Sequence, residues 1–139
     1  MNSLQILVVE DELTSRKILA SFLKPLGQCD TAIDGLEAVA RVRQSLEAGT
    51  PYSLICLDIK LPGMDGHAVL KEIRRMESER GIQPGDGAKV IMTTVMDDPK
   101  SIMGAFKNQC EAYILKPVEK SKLMETVGKL GLLGDSDRP

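Results

Sequence analysis

The chain has 139 residues, 42% hydrophobic and 27% charged, with a formal net charge of −2. That length fits one domain, and the composition is that of a globular chain rather than a disordered one. The slightly acidic balance gives no general pull toward nucleic acid or an anionic membrane, and two Tyr, two Phe and no Trp leave few platforms for stacking bases.

The N-terminus, MNSLQILVVEDE, has no basic region before its apolar run and meets acids too soon for a secretory leader. QILVV (5–9) reads as a fully buried strand. After it, Ile18, Leu19, Phe22, Leu23 and Leu26 recur at helical spacing, with Gly27 as the expected stop. QCDTA is a weakly marked second strand. A second helix stripe carries Leu36, Val39, Val42 and Leu46 and is closed by Gly49. SLICL (53–57) is the third strand, and Val69, Leu70, Ile73 and Met76 line the helix after it. KVIMTT (89–94) is the fourth strand, followed by a short helix with Pro99 in its first turn. AYIL (112–115) is the fifth, and Leu123, Val127 and Leu130 stripe the last helix. The loop at 81–88 is a flexible connection. The domain is expected to run over residues 1–131, with 132–139 as a frayed tail.

No apolar run approaches the roughly 20 residues of a membrane span. Cys29, Cys56 and Cys110 lack CxxC spacing and read as small buried hydrophobes in a reducing cytosol, which sets a cytoplasmic expectation. Met92 and Met103 read as core filling. Strand and helix thus alternate five times, which predicts an α/β, doubly wound, five-stranded parallel sheet covered by helices on both faces.

Three acids in a row, Glu10, Asp11 and Glu12, repel one another. They can open a helix at its positive end, or converge on a cation. Open α/β sheets bind ligands beyond the carboxyl ends of their strands. There, Glu10 and Asp11 follow the first strand, Asp58 the third and Lys116-Pro117 the fifth, while Thr94 ends the fourth. Crowded carboxylates raise each other's pKa unless a cation compensates. An all-oxygen donor set suits Mg²⁺, which takes one or two carboxylates and often shares a phosphate. With a hydroxyl and an ammonium beside them, these groups suit phosphoryl transfer onto an aspartate. Glu12 is left as the helix cap, and His67 as a polar first-turn residue.

Five stretches, LVVEDE, DGLEA, LICLDIKLPGMDG, VIMTT and YILKP, occur in order at strand or turn positions. On them the chain resembles the receiver domains of two-component response regulators over about residues 4–131, chemotaxis receivers among them. The resemblance implies a flavodoxin-like (βα)5 fold of strand order 2-1-3-4-5. It implies Asp58 as phosphoacceptor. It also implies Mg²⁺, with Mn²⁺ as a substitute, held by Asp11, Asp58 and the Lys60 backbone carbonyl, with Glu10 acting through water. Thr94 and Lys116 would bind the phosphoryl group, Tyr113 would be the switch aromatic, and Pro117 would follow a cis peptide bond. Lys60 and Met96 flank the site at positions that tune phosphoryl lifetime. A histidine kinase or phosphotransfer protein would be the donor. A downstream protein would be the target, with neither nucleic acid nor membrane as a partner of this domain.

The chain departs from that pattern at Val95, where a smaller residue is common, and in QCEAY, where a Gly-Ala pair is common. A relay intermediate or phosphate sink is the alternative to a direct effector. A haloacid dehalogenase-type phosphatase is disfavoured, because Lys60 stands where its second acid should be. A flavodoxin-like cofactor site is disfavoured too, because the loop after the first strand is acidic.

Overall fold

The computed structural model describes residues 3–133. Five parallel strands, β1 (Leu4–Val9), β2 (Gly27–Ala32), β3 (Leu54–Leu57), β4 (Lys89–Thr94) and β5 (Ala112–Leu115), form one sheet of order β2-β1-β3-β4-β5. Between and after them lie α1 (Leu13–Leu23), α2 (Gly35–Glu47), α3 (Gly66–Glu79), α4 (Pro99–Lys107) and α5 (Lys120–Lys129). Every strand is joined to the next by a helix, so the expected alternation and strand order are both present. Successive strand side chains point to opposite faces. Leu7 and Val9 therefore pack under α2 and α3, while Ile6 and Val8 pack under α1 and α5. The continuous apolar runs of β1, β3 and β4 follow from this double coverage.

Helix starts are set by side chains that accept orphan backbone N–H groups. Glu12 caps α1 through Thr14 and Ser15, Asp34 caps α2, Asp65 caps α3 and Asp98 caps α4 with Pro99 directly behind it. Gly49, at φ +74°, lies just past α2 where the left-handed region favours glycine.

Several expectations need correction. Gly27 is not the stop of the first helix. A single 3-10 turn over Lys24–Leu26 follows α1, and Gly27 opens β2, where a Cβ would sit 2.1 Å from the Leu4 carbonyl oxygen. Leu36 is 70% exposed, and Ala38 takes its inward place beside Val39 and Val42. Ile18 and Met103 also face outward, whereas Met92 is fully buried. Leu133, assigned to the tail, is buried against the α1/α5 face, with Leu132 packed beside it. The tail expectation for 134–139 lies outside the described residues. Cys56 and Cys110 are buried, and Cys29 is half-buried. Burial pushes the Cys29 thiol up to about 11 and the other two up to about 12, so all three are poor nucleophiles at neutral pH. Among the described residues, no helix is long and apolar enough to cross a membrane.

Candidate functional site

The carboxyl ends of the central strands bring together the residues that the motifs single out. Carboxylate oxygens of Glu10, Asp11 and Asp58 lie within 4.8 Å of one another. Backbone bonds from Glu10 N to the Ala32 carbonyl and from Asp58 N to the Val9 carbonyl extend the strand ladders into this rim and fix both acids. Gly66 admits α3 to the same place. Its N–H donates to the Ile59 carbonyl at 2.8 Å, and a Cβ there would lie 2.2 Å from the Asp58 carbonyl oxygen. Any side chain at Gly66 would displace the backbone that carries Asp58.

Glu10 is 1% and Asp58 5% exposed, whereas Asp11 is exposed. Lys116 reaches in from the end of β5 and donates to Glu10 Oε1 at 2.5 Å and to Asp58 Oδ2 at 2.7 Å. The Lys116–Pro117 peptide bond is cis, and Pro117 itself faces outward. The expectation of a water-mediated Glu10 gains a direct contact here, since its carboxylate is ion-paired to Lys116. Burial, aggravated by Asp58, pushes the Glu10 carboxyl up to about 7 against the opposing pull of Lys116. For Asp58, burial opposes ionisation, but hydrogen bonding from Glu10 and Lys116 and the lysine charge hold its carboxyl below the usual range. Burial also disfavours the Lys116 charge, and the two carboxylates outweigh it and raise the ammonium's pKa. Three acids against one lysine leave excess negative charge on this rim.

That charge makes a cation fit. Glu10 Oε2 is buried without a hydrogen-bond partner, and the donor set consists of hard oxygens. Lys60 follows Asp58 closely, and its N–H donates to Asp58 Oδ1 at 3.3 Å. Lys60, Asp11 and Met96 line one open cleft of about 600 Å³. Thr94 is fully buried at the end of β4, its Oγ1 accepting from Met96 N at 3.3 Å. Tyr113 packs against the core and donates its hydroxyl to the Met96 carbonyl at 2.7 Å, so core packing and a tie to the Thr94 loop coexist. Val95 is 59% exposed and lines an apolar hollow of about 290 Å³ with Ile18 and Pro117. His67 lies in the first turn of α3.

Sequence spacing misses Arg16. From α1 its Nη1 donates to the carbonyls of Glu10 at 3.0 Å and Asp11 at 3.3 Å, stapling the acidic turn. Nothing in LTSRK separates this arginine from a solvated one. Only the return of the helix over the turn does.

The topology and the make-up of this rim define a class of doubly wound signalling domain. The chain belongs to the response regulator receiver domain family, whose profile matches residues 6–128. It is 30% identical over 132 residues to hybrid signal transduction histidine kinase L of Dictyostelium discoideum, covering 94% of this chain. It superimposes on the CheY-like receiver domain protein of Methanospirillum hungatei with a TM-score of 0.77 at 26% identity, covering 94% of this chain and 95% of that one. The receiver domain of sensor histidine kinase PA1611 from Pseudomonas aeruginosa, with magnesium coordinated in its active-site cleft, gives a TM-score of 0.74 at 23% identity, covering 94% and 99%. The chain spans 7% and 13% of the length of two histidine kinases it matches. It is a phosphoryl-accepting receiver of two-component signalling, and such domains are signalling modules rather than classical enzymes.

Proposed function

We propose that Asp58 accepts the phosphoryl group and that the surrounding rim converts its arrival into a changed protein-binding face. The observation that carries this is the placing of the Asp58 carboxylate, buried and held ionised, beside the Lys116 ammonium and close to two further carboxylates. Asp58 would attack the phosphorus of a phosphohistidine on a kinase or phosphotransfer protein. The P–N bond breaks with its electron pair, which stays on the imidazole.

Asp11, Asp58 and the Lys60 carbonyl would hold Mg²⁺, or Mn²⁺ in its place, with Glu10 acting through water. The ion, when bound, supplies positive charge for the transferring phosphoryl oxygens. Thr94 bonds one of those oxygens, Lys116 shifts to pair with another, and Tyr113 follows the Thr94 loop. The domain, residues 1–131, catalyses only its own phosphorylation and dephosphorylation in the cytoplasm. Its output is a contact with a downstream protein, without nucleic acid or membrane as partners. Mg²⁺-dependent transfer of label from acetyl phosphate tests the assignment. Label on Asp58 supports it, whereas turnover of external phosphate esters without labelling favours a phosphatase.

Asp11→Asn should weaken Mg²⁺ binding by at least roughly tenfold, because one charged ligand is lost from an exposed position that the fold does not need. Calorimetric titration reads this directly, and an unchanged affinity removes Asp11 from the metal shell.

The second expectation concerns lifetime. Hydrolysis needs water in line with the Asp58–phosphorus bond, and Lys60 and Met96 line the cleft at that rim. A thioether holds water poorly, and the lysine stem shields the approach. Phospho-Asp58 should therefore decay about tenfold more slowly than in a Lys60→Asn, Met96→Glu double variant, the scale of ~1.4 kcal/mol in the barrier. Phosphate release under identical Mg²⁺ checks it; equal or slower decay in the double variant contradicts it.

A further inference from the structure

The end of the sheet opposite the carboxylates carries a polar hub that the receiver reading does not use. Arg74 of α3 spends all five of its N–H donors there. Nε and Nη2 both donate to the Gln109 carbonyl, at 3.1 and 2.7 Å, and Nη2 also to Glu111 Oε1 at 2.9 Å. Nη1 donates to Glu77 Oε1 at 2.7 Å and to the Ala88 carbonyl at 3.0 Å. Backbone N–H groups hold the acids too: Val90 N donates to the same Glu111 Oε1 at 2.6 Å, and Ala88 N to the other Glu77 oxygen, Oε2, at 2.8 Å. A solvated surface arginine would not look like this: the Arg74 side chain is 15% exposed and bridges α3, the loop before β4 and the loop before β5. Gln109, at φ +72°, is the left-handed residue that ends α4: its N–H bonds the Phe106 carbonyl and the Cys110 N–H the Ala105 carbonyl, which leaves the Gln109 carbonyl for Arg74.

The segment tied down is the C-terminal exit of α4. Only Ser101 and Ala105 of that helix are buried, while Met103 and Phe106 face outward. The approach to its N-terminal end is tied at Met96 by two neutral hydrogen bonds, from Met96 N to Thr94 Oγ1 at 3.3 Å and from the Tyr113 hydroxyl to the Met96 carbonyl at 2.7 Å. One end is thus held by a charged network, and the other by neutral bonds that include the Thr94 hydroxyl, beside the site of charge change.

We infer that Arg74 is a positioning residue of the switch, fixing a pivot at Gln109 so that α4 moves from its N-terminal end. The inference rests on the receiver reading of Asp58 and adds to it where the motion is stopped. It also gives a role to Glu111, the one side chain of Gln-Cys-Glu that Arg74 holds.

Amide exchange followed residue by residue tests this on the full chain, unmodified and kept phosphorylated by acetyl phosphate and Mg²⁺. In the wild type, phosphorylation should change exchange over residues 96–102 by at least about tenfold. It should move Cys110 and Glu111, whose amides bond the Ala105 and Val90 carbonyls, by less than about twofold. In Arg74→Met, phosphorylation should release Cys110 and Glu111 as well, by about tenfold, with phosphoryl uptake unchanged. A merely structural role would raise exchange equally in both states. Glu111→Gln, which keeps an acceptor for Val90 but loses the ion pair, should shift the same amides in the same direction and serves if Arg74→Met does not fold. The inference is overturned if phosphorylation frees Cys110 and Glu111 in the wild type, or if the variants' two states exchange alike. Intact mass, taken first, separates the failures: without phosphoryl uptake the Asp58 assignment has failed, and the pivot falls with it.

Discussion

Asp58→Asn is expected to abolish phosphoryl uptake from acetyl phosphate, to below about one hundredth of the wild-type level, while the chain stays folded. The amide keeps the shape of the carboxylate but is no nucleophile toward phosphorus, and no other rim carboxylate matches its setting. Asp11 is exposed, and burial pushes the Glu10 carboxyl toward its neutral form. The fold should survive because the substitution removes one of two buried acids that share a single lysine. The Glu10–Lys116 pair remains, now balanced in charge. Unfolding free energy should lie within about 1 kcal/mol of the wild type. Phosphopeptide mass spectrometry with a urea titration reads both quantities. Undiminished labelling would move the acceptor elsewhere, and loss of folding would make Asp58 a structural residue.

Lys116→Ala should have the larger effect on stability and a selective effect on signalling. Lys116 compensates two buried carboxylates at 2.5 and 2.7 Å. Removing one partner of a buried ionic cluster leaves the others uncompensated, typically at about 3–5 kcal/mol. The lower figure applies here, since Glu10 readily takes up a proton. Mg²⁺ should restore more stability to the variant than to the wild type, because the ammonium no longer competes with the cation for the same oxygens. At a hundredfold excess over its Kd, a ligand of the folded state alone adds about 2.7 kcal/mol. Chemical denaturation in chelator and in Mg²⁺ measures this; equal gains in both proteins would show that lysine and cation do not share ligands. With Mg²⁺ present, Asp58 should still be labelled, yet partner binding should lose its dependence on phosphorylation. Full phosphorylation-dependent binding by the variant would remove Lys116 from the switch.

The architecture was legible in the sequence because strand and helix periods differ, and because a sheet covered on both faces demands unbroken apolar strands such as LICL and VIM. The rim was legible for a related reason: in a parallel sheet every strand delivers its next residue to the same edge, so Asp11, Asp58, Thr94 and Lys116 follow from strand ends alone. Periodicity ranks the faces of a helix but not how far each is covered, so it points Leu36, Ile18 and Met103 inward although the fold leaves all three exposed. Partnerships across the fold were equally invisible. Lys116 meets Glu10 106 positions away, and Arg74 meets Gln109 35 positions away. Local pattern carries no record of which distant backbone a long side chain will reach. The sequence by itself determined the order of layers and the chemistry gathered at one edge. Only the tertiary structure decided that the lysine is already engaged by two acids and that Arg74 ties the exit of α4 to α3 and the start of β4, because both depend on distances between elements that never neighbour each other along the chain.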